Sequence, residues 1–132
     1  MKQKSAIIIG AGNRGNTYAS YSISFPDEIK IVGVADPNPE KRDKFSQLYH
    51  LTDSQCYDSW ESILNQPKLS DIAIITTQDQ MHIKPALAAM KKGYHILLEK
   101  PLATTEEDCI TFNNKAKDYD RIIGLCHVLR FT

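Results

Sequence analysis

Apolar runs and polar intervals alternate along this chain with a steady beat. Residues 5–9, 30–35, 71–76 and 95–98 are each close to unbroken in Ile, Val, Leu and Ala. Runs of that kind suit strands buried on both faces, as in a parallel sheet. Residues 55–57 and 121–128 add a short third strand and a sixth. The intervals between them can be helical. Residues 13–25 predict a first helix, broken by Pro26-Asp27. Residues 39–50 predict a second, with Asn38 as N-cap and Pro39 in the first turn. Residues 60–65 form a short third, capped by Asp58 or Ser59. Residues 82–92 form a fourth, ending in Lys91-Lys92 before Gly93, where a C′ glycine follows a cationic last turn. Thr104-Thr105-Glu106-Glu107 is a capping-box pattern that opens a fifth over residues 105–119.

Strand and helix thus alternate from end to end, without internal repeat or low-complexity linker. The fold class this predicts is α/β: a doubly wound Rossmann sheet of about six parallel strands, in three αβα layers and order 3-2-1-4-5-6. Ligands of such sheets bind at the carboxyl ends of the strands, near the switch between strands one and four. The residues that follow each strand are therefore the informative ones.

Strand one runs into Gly10-Ala11-Gly12-Asn13-Arg14-Gly15, a G-x-G-x-x-G pattern in the strand–loop–helix context that gives it meaning. The first glycine permits a tight turn, the second lets backbone approach a pyrophosphate, and the third lets helix pack on strand. Unpaired N–H groups at the helix start favour phosphates. Asn13 and Arg14 can face them there, although Arg14 reads equally as a solvated side chain. Strand two ends in Asp36, 21 residues after Gly15. A carboxylate there can accept both hydroxyls of an adenosine ribose and would repel a 2′-phosphate, so NAD is favoured over NADP. The competing reading of Asp36-Pro37 is turn chemistry. Lys41 and Arg42 lie close enough to bear on that choice of cofactor, although they read more readily as solvated helix residues. Strand four ends in Thr76 and Thr77, with Asp79 and His82 beyond. These side chains either cap the next helix or line the nicotinamide half of a cofactor site. Strand five ends in Glu99-Lys100-Pro101. A lysine held at that edge, partly desolvated, can have its pKa lowered toward the range of a general acid/base. The alternative is an exposed lysine in a turn.

Composition excludes more than it suggests. The chain has 132 residues, enough for one domain with a core, and its 16 basic and 16 acidic residues cancel. Binding to nucleic acid or membrane driven by net charge is not expected. No apolar run approaches a membrane span, and the N-terminus does not read as a signal peptide. Cys56, Cys109 and Cys126 fit neither a disulfide framework nor a zinc set, so no metal is expected and reduced thiols in a cytoplasmic protein are the plain reading.

The ordered motifs GAGNRG, VADPN, TTQDQMH and GYHILLEKPLATT together resemble the cofactor domain of the glucose–fructose oxidoreductase/inositol dehydrogenase (Gfo/Idh/MocA) family, with Glu-Lys-Pro the most specific of them. The resemblance covers essentially the whole chain. It implies an NAD(P)-dependent oxidoreductase that moves hydride between nicotinamide and a sugar, cyclitol or related polyol. It implies Lys100 as the catalytic lysine, with Glu99 placing Lys100 and the cofactor. The Lys100–Pro101 bond is commonly cis in such proteins. His82 becomes a cofactor or substrate neighbour, and Arg130 lies toward the nicotinamide. Gln78 stands where the family usually has Pro. Members continue into a second α/β domain that supplies most of the substrate pocket and the homo-oligomer contacts. Residues 1–132 alone would then be the dinucleotide-binding domain, with little or no turnover. Two rival readings are a non-catalytic nucleotide sensor or regulatory module, and a Rossmann enzyme using S-adenosylmethionine; Glu-Lys-Pro is not expected in the latter.

Overall fold

Two central strands, β1 (Lys4–Ile9) and β4 (Ile72–Ile75), pair in parallel and carry the middle of the molecule. A computed structural model describes residues 3–12, 18–76, 83–99, 110, 111, 114, 115, 117, 119 and 123–126. β2 (Ile29–Ala35) and β3 (Cys56–Tyr57) extend the sheet on one side of this pair, β5 (His95–Glu99) and β6 (Ile123–Cys126) on the other. The sheet is six-stranded and parallel, in the order β3-β2-β1-β4-β5-β6. Both the strand count and the order expected from the alternation are met.

Helices cover both faces, which is why β1 has no polar side. Ala6, Ile7 and Ile8 are 0 % exposed. Ile8 packs with Ala19, Val34 and Phe45 on the face covered by α1 (Tyr21–Ser24) and α2 (Pro39–Tyr49). Ile7 and Ile9 pack with Ile63, Ala86, Ala89 and Leu98 on the face of α3 (Trp60–Leu64) and α4 (Ile83–Lys92). Full burial of each such isoleucine stabilises by about 1.5–3 kcal/mol. The described residues 110, 111, 114, 115 and 117 are helical, in line with a fifth helix before β6.

The helix ends follow the local chemistry of the sequence, with one exception. The Asn38 side chain accepts from the Glu40 and Lys41 N–H groups, and Ser59 from that of Ser62. Gly93 has φ 84, and Tyr94 N–H donates to Ala89 O, closing a Schellman motif. The exception is His50. It takes the left-handed conformation at φ 58, while Leu51 N–H donates to Ser46 O, so α2 stops at Tyr49 without a glycine to mark its end. The first helix also departs from a single run over 13–25: Ser20 is a turn residue between helical Tyr18-Ala19 and α1. Pairing of β1 with β2 slips once, Ala6 facing Ile31 and Ile7 facing Gly33. The slip brings Gly33 under Ile7, where a Cβ would stand 3.1 Å from Ile7 Cγ2.

Candidate functional site

β1, β2 and β4 end level with one another, and their ends are bonded together. Gly10 takes φ 101, a backbone state that suits glycine, and its N–H donates to Ala35 O at 2.8 Å. The chain therefore turns tightly off β1 toward β2. The next amide, Ala11 N–H, donates to Asp36 Oδ2 at 2.7 Å. Asp36 Oδ1 accepts from Asn38 N–H at 2.8 Å, and the Arg42 guanidinium donates to the Asp36 carbonyl at 2.8 Å. Asp36 is 8 % exposed and works as the staple between the glycine turn and the start of α2. The turn chemistry expected as a rival to a ribose contact is thus present, but it does not exhaust the carboxylate. Each oxygen has one backbone donor and keeps acceptor capacity for a hydroxyl.

Thr76 makes the equivalent tie from β4. Its N–H donates to Ile9 O at 2.8 Å and its hydroxyl to Gly10 O at 2.8 Å. The hydroxyl proton is committed to the loop backbone, so Thr76 holds the turn as well as forming a wall.

These ties frame a cleft of about 610 Å³ at the carboxyl edge of the sheet. Gly10, Gly12, Asp36 and Thr76 line it together, and they are the sequence-derived candidates that fall among described residues. Asn13, Arg14, Gly15, Thr77, His82 and Lys100 lie outside the described residues, as does the side chain of Glu99, whose backbone ends β5. Arg130, Asp79, Thr104 to Glu107 and the Lys100–Pro101 bond are outside them too. The cleft is also lined by residues not expected as site residues: Lys41 from α2, read from the sequence mainly as a solvated helix residue, and Asp58, Ser59, Trp60 and Glu61 around the start of α3. Lys41 had a signal in the sequence. Asn38 as N-cap fixes it in the first turn of a helix whose start faces this edge.

Comparison with known proteins decides the family. Residues 4–127 match the GFO/IDH/MocA oxidoreductase family, NAD-binding Rossmann fold. The chain belongs to this family. It is 27% identical over 124 residues to 2,7-anhydro-N-acetylneuraminate hydratase of Escherichia coli (strain K12), covering 94% of this chain and 32% of that protein. It is 25% identical over 126 residues to scyllo-inositol 2-dehydrogenase (NADP(+)) IolW of Bacillus subtilis (strain 168), covering 94% of this chain and 33% of that one. The fold superimposes on apo scyllo-inositol dehydrogenase from Lactobacillus casei with a TM-score of 0.88 at 17% identity, over 99% of this chain and 38% of that one. The chain thus spans about a third of the length of the curated relatives it matches.

The family implies a nicotinamide dinucleotide, and the cleft fits one. Among the described residues, a Cβ built on Gly12 would come within 4 Å of the tip of Lys41 alone, Nζ at 3.9 Å. Asp36 offers oxygens with acceptor capacity at the end of β2. Among the described residues no group of His, Cys, Asp and Glu could hold a metal ion.

Proposed function

We propose that this chain is the cofactor domain of an oxidoreductase acting at a secondary alcohol carbon of a sugar, cyclitol or related polyol, with NAD preferred over NADP. The observation that carries the reading is the cleft itself: an open glycine backbone and a buried carboxylate, side by side, in a member of an NAD-binding oxidoreductase family. When bound, the nicotinamide supplies the hydride chemistry. The chain's own residues do the rest. Gly10 and Gly12 admit the pyrophosphate to the backbone, and Asp36 accepts the adenosine ribose hydroxyls. Lys100 follows β5 directly in the sequence and, by likeness to the family's Glu-Lys-Pro motif, holds the substrate hydroxyl and handles its proton. The names of the matched relatives favour a polyhydroxylated substrate, and their greater length favours a pocket completed by a second domain.

Calorimetry on the 132-residue chain tests the cofactor half. NAD should bind, and NADP more weakly. Absence of heat with both nucleotides would sink the reading. In a full-length version, Lys100→Ala should abolish turnover and spare cofactor binding; retained turnover removes Lys100 from the mechanism, and binding without any turnover in the parent protein favours the sensor alternative.

A further inference from the structure

We infer that the groove between α3, α4 and the helical segment before β6 is a docking site for an acidic amphipathic helix of a partner protein. Among the described residues this groove shares only Trp60 with the nucleotide cleft, and the inference does not rest on the proposed function.

The groove is a cavity of about 580 Å³ with an apolar floor. Trp60, Leu87, Ala88 and Met90 form that floor, each partly buried against the core beneath. Tyr119 adds its ring, and its hydroxyl donates to the Tyr94 carbonyl. Lys84, Lys91 and Lys115 stand at the rim, all three exposed. Among the described residues that line the groove there is no carboxylate. The whole chain carries 16 basic and 16 acidic residues, so three cations around one apolar floor are a local excess. A surface of this kind is complementary to an apolar face flanked by carboxylates.

Helical spacing narrows the occupant further. Lys84, Leu87, Ala88 and Lys91 fall at positions i, i+3, i+4 and i+7 of α4 and form one stripe. Pro85, Ala86 and Ala89 take the buried side. The stripe thus sets two cations about 10 Å apart along the axis, with apolar surface between them. A helix lying along α4 repeats with the same rise. Its carboxylates at i and i+7 meet the two lysines while its residues at i+3 and i+4 cover Leu87 and Ala88. An extended strand covers that distance in about three residues, whose end side chains point to opposite faces, so it meets only one lysine. A second copy of the chain is a poor source of such a helix. Among the described helices α1 and α4 have no acid, α3 has only Glu61, and α2 has Glu40 and Asp43, three positions apart.

The probe is a fluorescently labelled synthetic helix of repeated Glu-Ala-Ala-Leu-Leu-Ala-Ala, titrated with the 132-residue chain and followed by anisotropy. The parent chain should bind it and should not bind a counterpart with Lys in place of Glu. Combining Lys84→Glu with Lys91→Glu should weaken the acidic helix about tenfold or more and create binding of the basic one, because like charges across an interface repel. Combining Lys44→Glu with Lys117→Glu changes net charge equally at positions that do not line the groove, and should alter affinity by less than about twofold. All four lysines are exposed, so an unchanged melting temperature certifies each fold. Saturating NAD should leave the acidic helix bound. No binding by the parent, or equal losses in the two double variants, would overturn the inference. Displacement by NAD would move the peptide into the nucleotide cleft and overturn it too. Parent binding to phosphatidylserine vesicles but not to the acidic helix would reassign the groove to a membrane surface. Self-association of the parent that Lys84→Glu with Lys91→Glu abolishes would reassign it to a second copy.

Discussion

Gly12 and Asp36 line the same cleft, yet they answer to different demands. Among the described residues a Cβ on Gly12 would meet the Lys41 tip alone, and its φ is not in the left-handed region, so Gly12→Ala should fold normally. On the proposed function the added methyl stands on the path of the pyrophosphate, so NAD affinity should fall by about tenfold or more, since even small misplacements at such contacts are felt. Asp36→Ala should show the opposite mixture. It removes the acceptor of two backbone N–H groups, one of them buried, and leaving such donors unmet costs about 1–3 kcal/mol. Its melting temperature should drop together with its NAD affinity, and NAD should lose more than NADP. Thermal unfolding beside calorimetry checks both variants; a Gly12→Ala protein that melts early, or equal losses of NAD and NADP in Asp36→Ala, contradicts this account. The tight turn off β1 was legible in the sequence, because an apolar strand runs there straight into Gly10, which takes φ 101. The bond from Asp36 to Ala11 was not, because it joins residues 25 apart that meet only once β1 and β2 have paired.

Secondary-structure elements were legible wherever their ends carried their own chemistry. Asn38 before Pro39 and Gly93 after two lysines marked the start of α2 and the end of α4, and the structure closes both with side-chain or Schellman bonds. His50 carried no such mark. A non-glycine residue enters the left-handed region there because the following Leu51 gains its bond to Ser46 O. The slip between β1 and β2 was equally invisible, since register depends on the partner strand. Its imprint is Gly33, whose missing Cβ makes room for Ile7. Gly33→Ala should overpack this seam. With a contact of 3.1 Å to a fully buried isoleucine, and Gln55 O and Ile63 Cδ1 each at 3.5 Å, relief requires movement in the core. The expected cost is about 1–3 kcal/mol in denaturant unfolding. A variant as stable as the parent would show that the seam yields freely.

Across the whole molecule, the two edges of the sheet divide the work. The carboxyl edge holds the cleft. At the amino edge the Asp71 carboxylate accepts from Ser5 N–H at 3.0 Å and from the Ser5 hydroxyl at 3.2 Å, tying β4 to β1. The backbone bond from Ser5, more than any other cause, holds the Asp71 pKa below its ordinary value of 3.8. Stability from a depressed carboxylate is present above the unfolded pKa and is lost as pH falls through the folded one. Asp71→Ala should therefore melt earlier than the parent at neutral pH, by about 0.5–1 kcal/mol given the exposure to water. That gap should narrow as pH drops below about 4. Thermal melts over a pH series measure it, and a gap that widens toward acid would reverse the assignment. The sheet order was legible at this scale because parallel strands with right-handed crossovers leave few arrangements. No helix among the described residues is long and apolar enough to cross a membrane.

Trp60 opens α3 on the wall of the cleft, and it is the chain's single tryptophan. All the indole emission of the 132-residue chain thus comes from one wall of this cleft. A ligand entering there changes the surroundings of that ring directly, and a reduced nicotinamide cofactor absorbs light in the region where indole emits. Occupancy can then be followed optically in the unlabelled chain, with no second tryptophan to subtract.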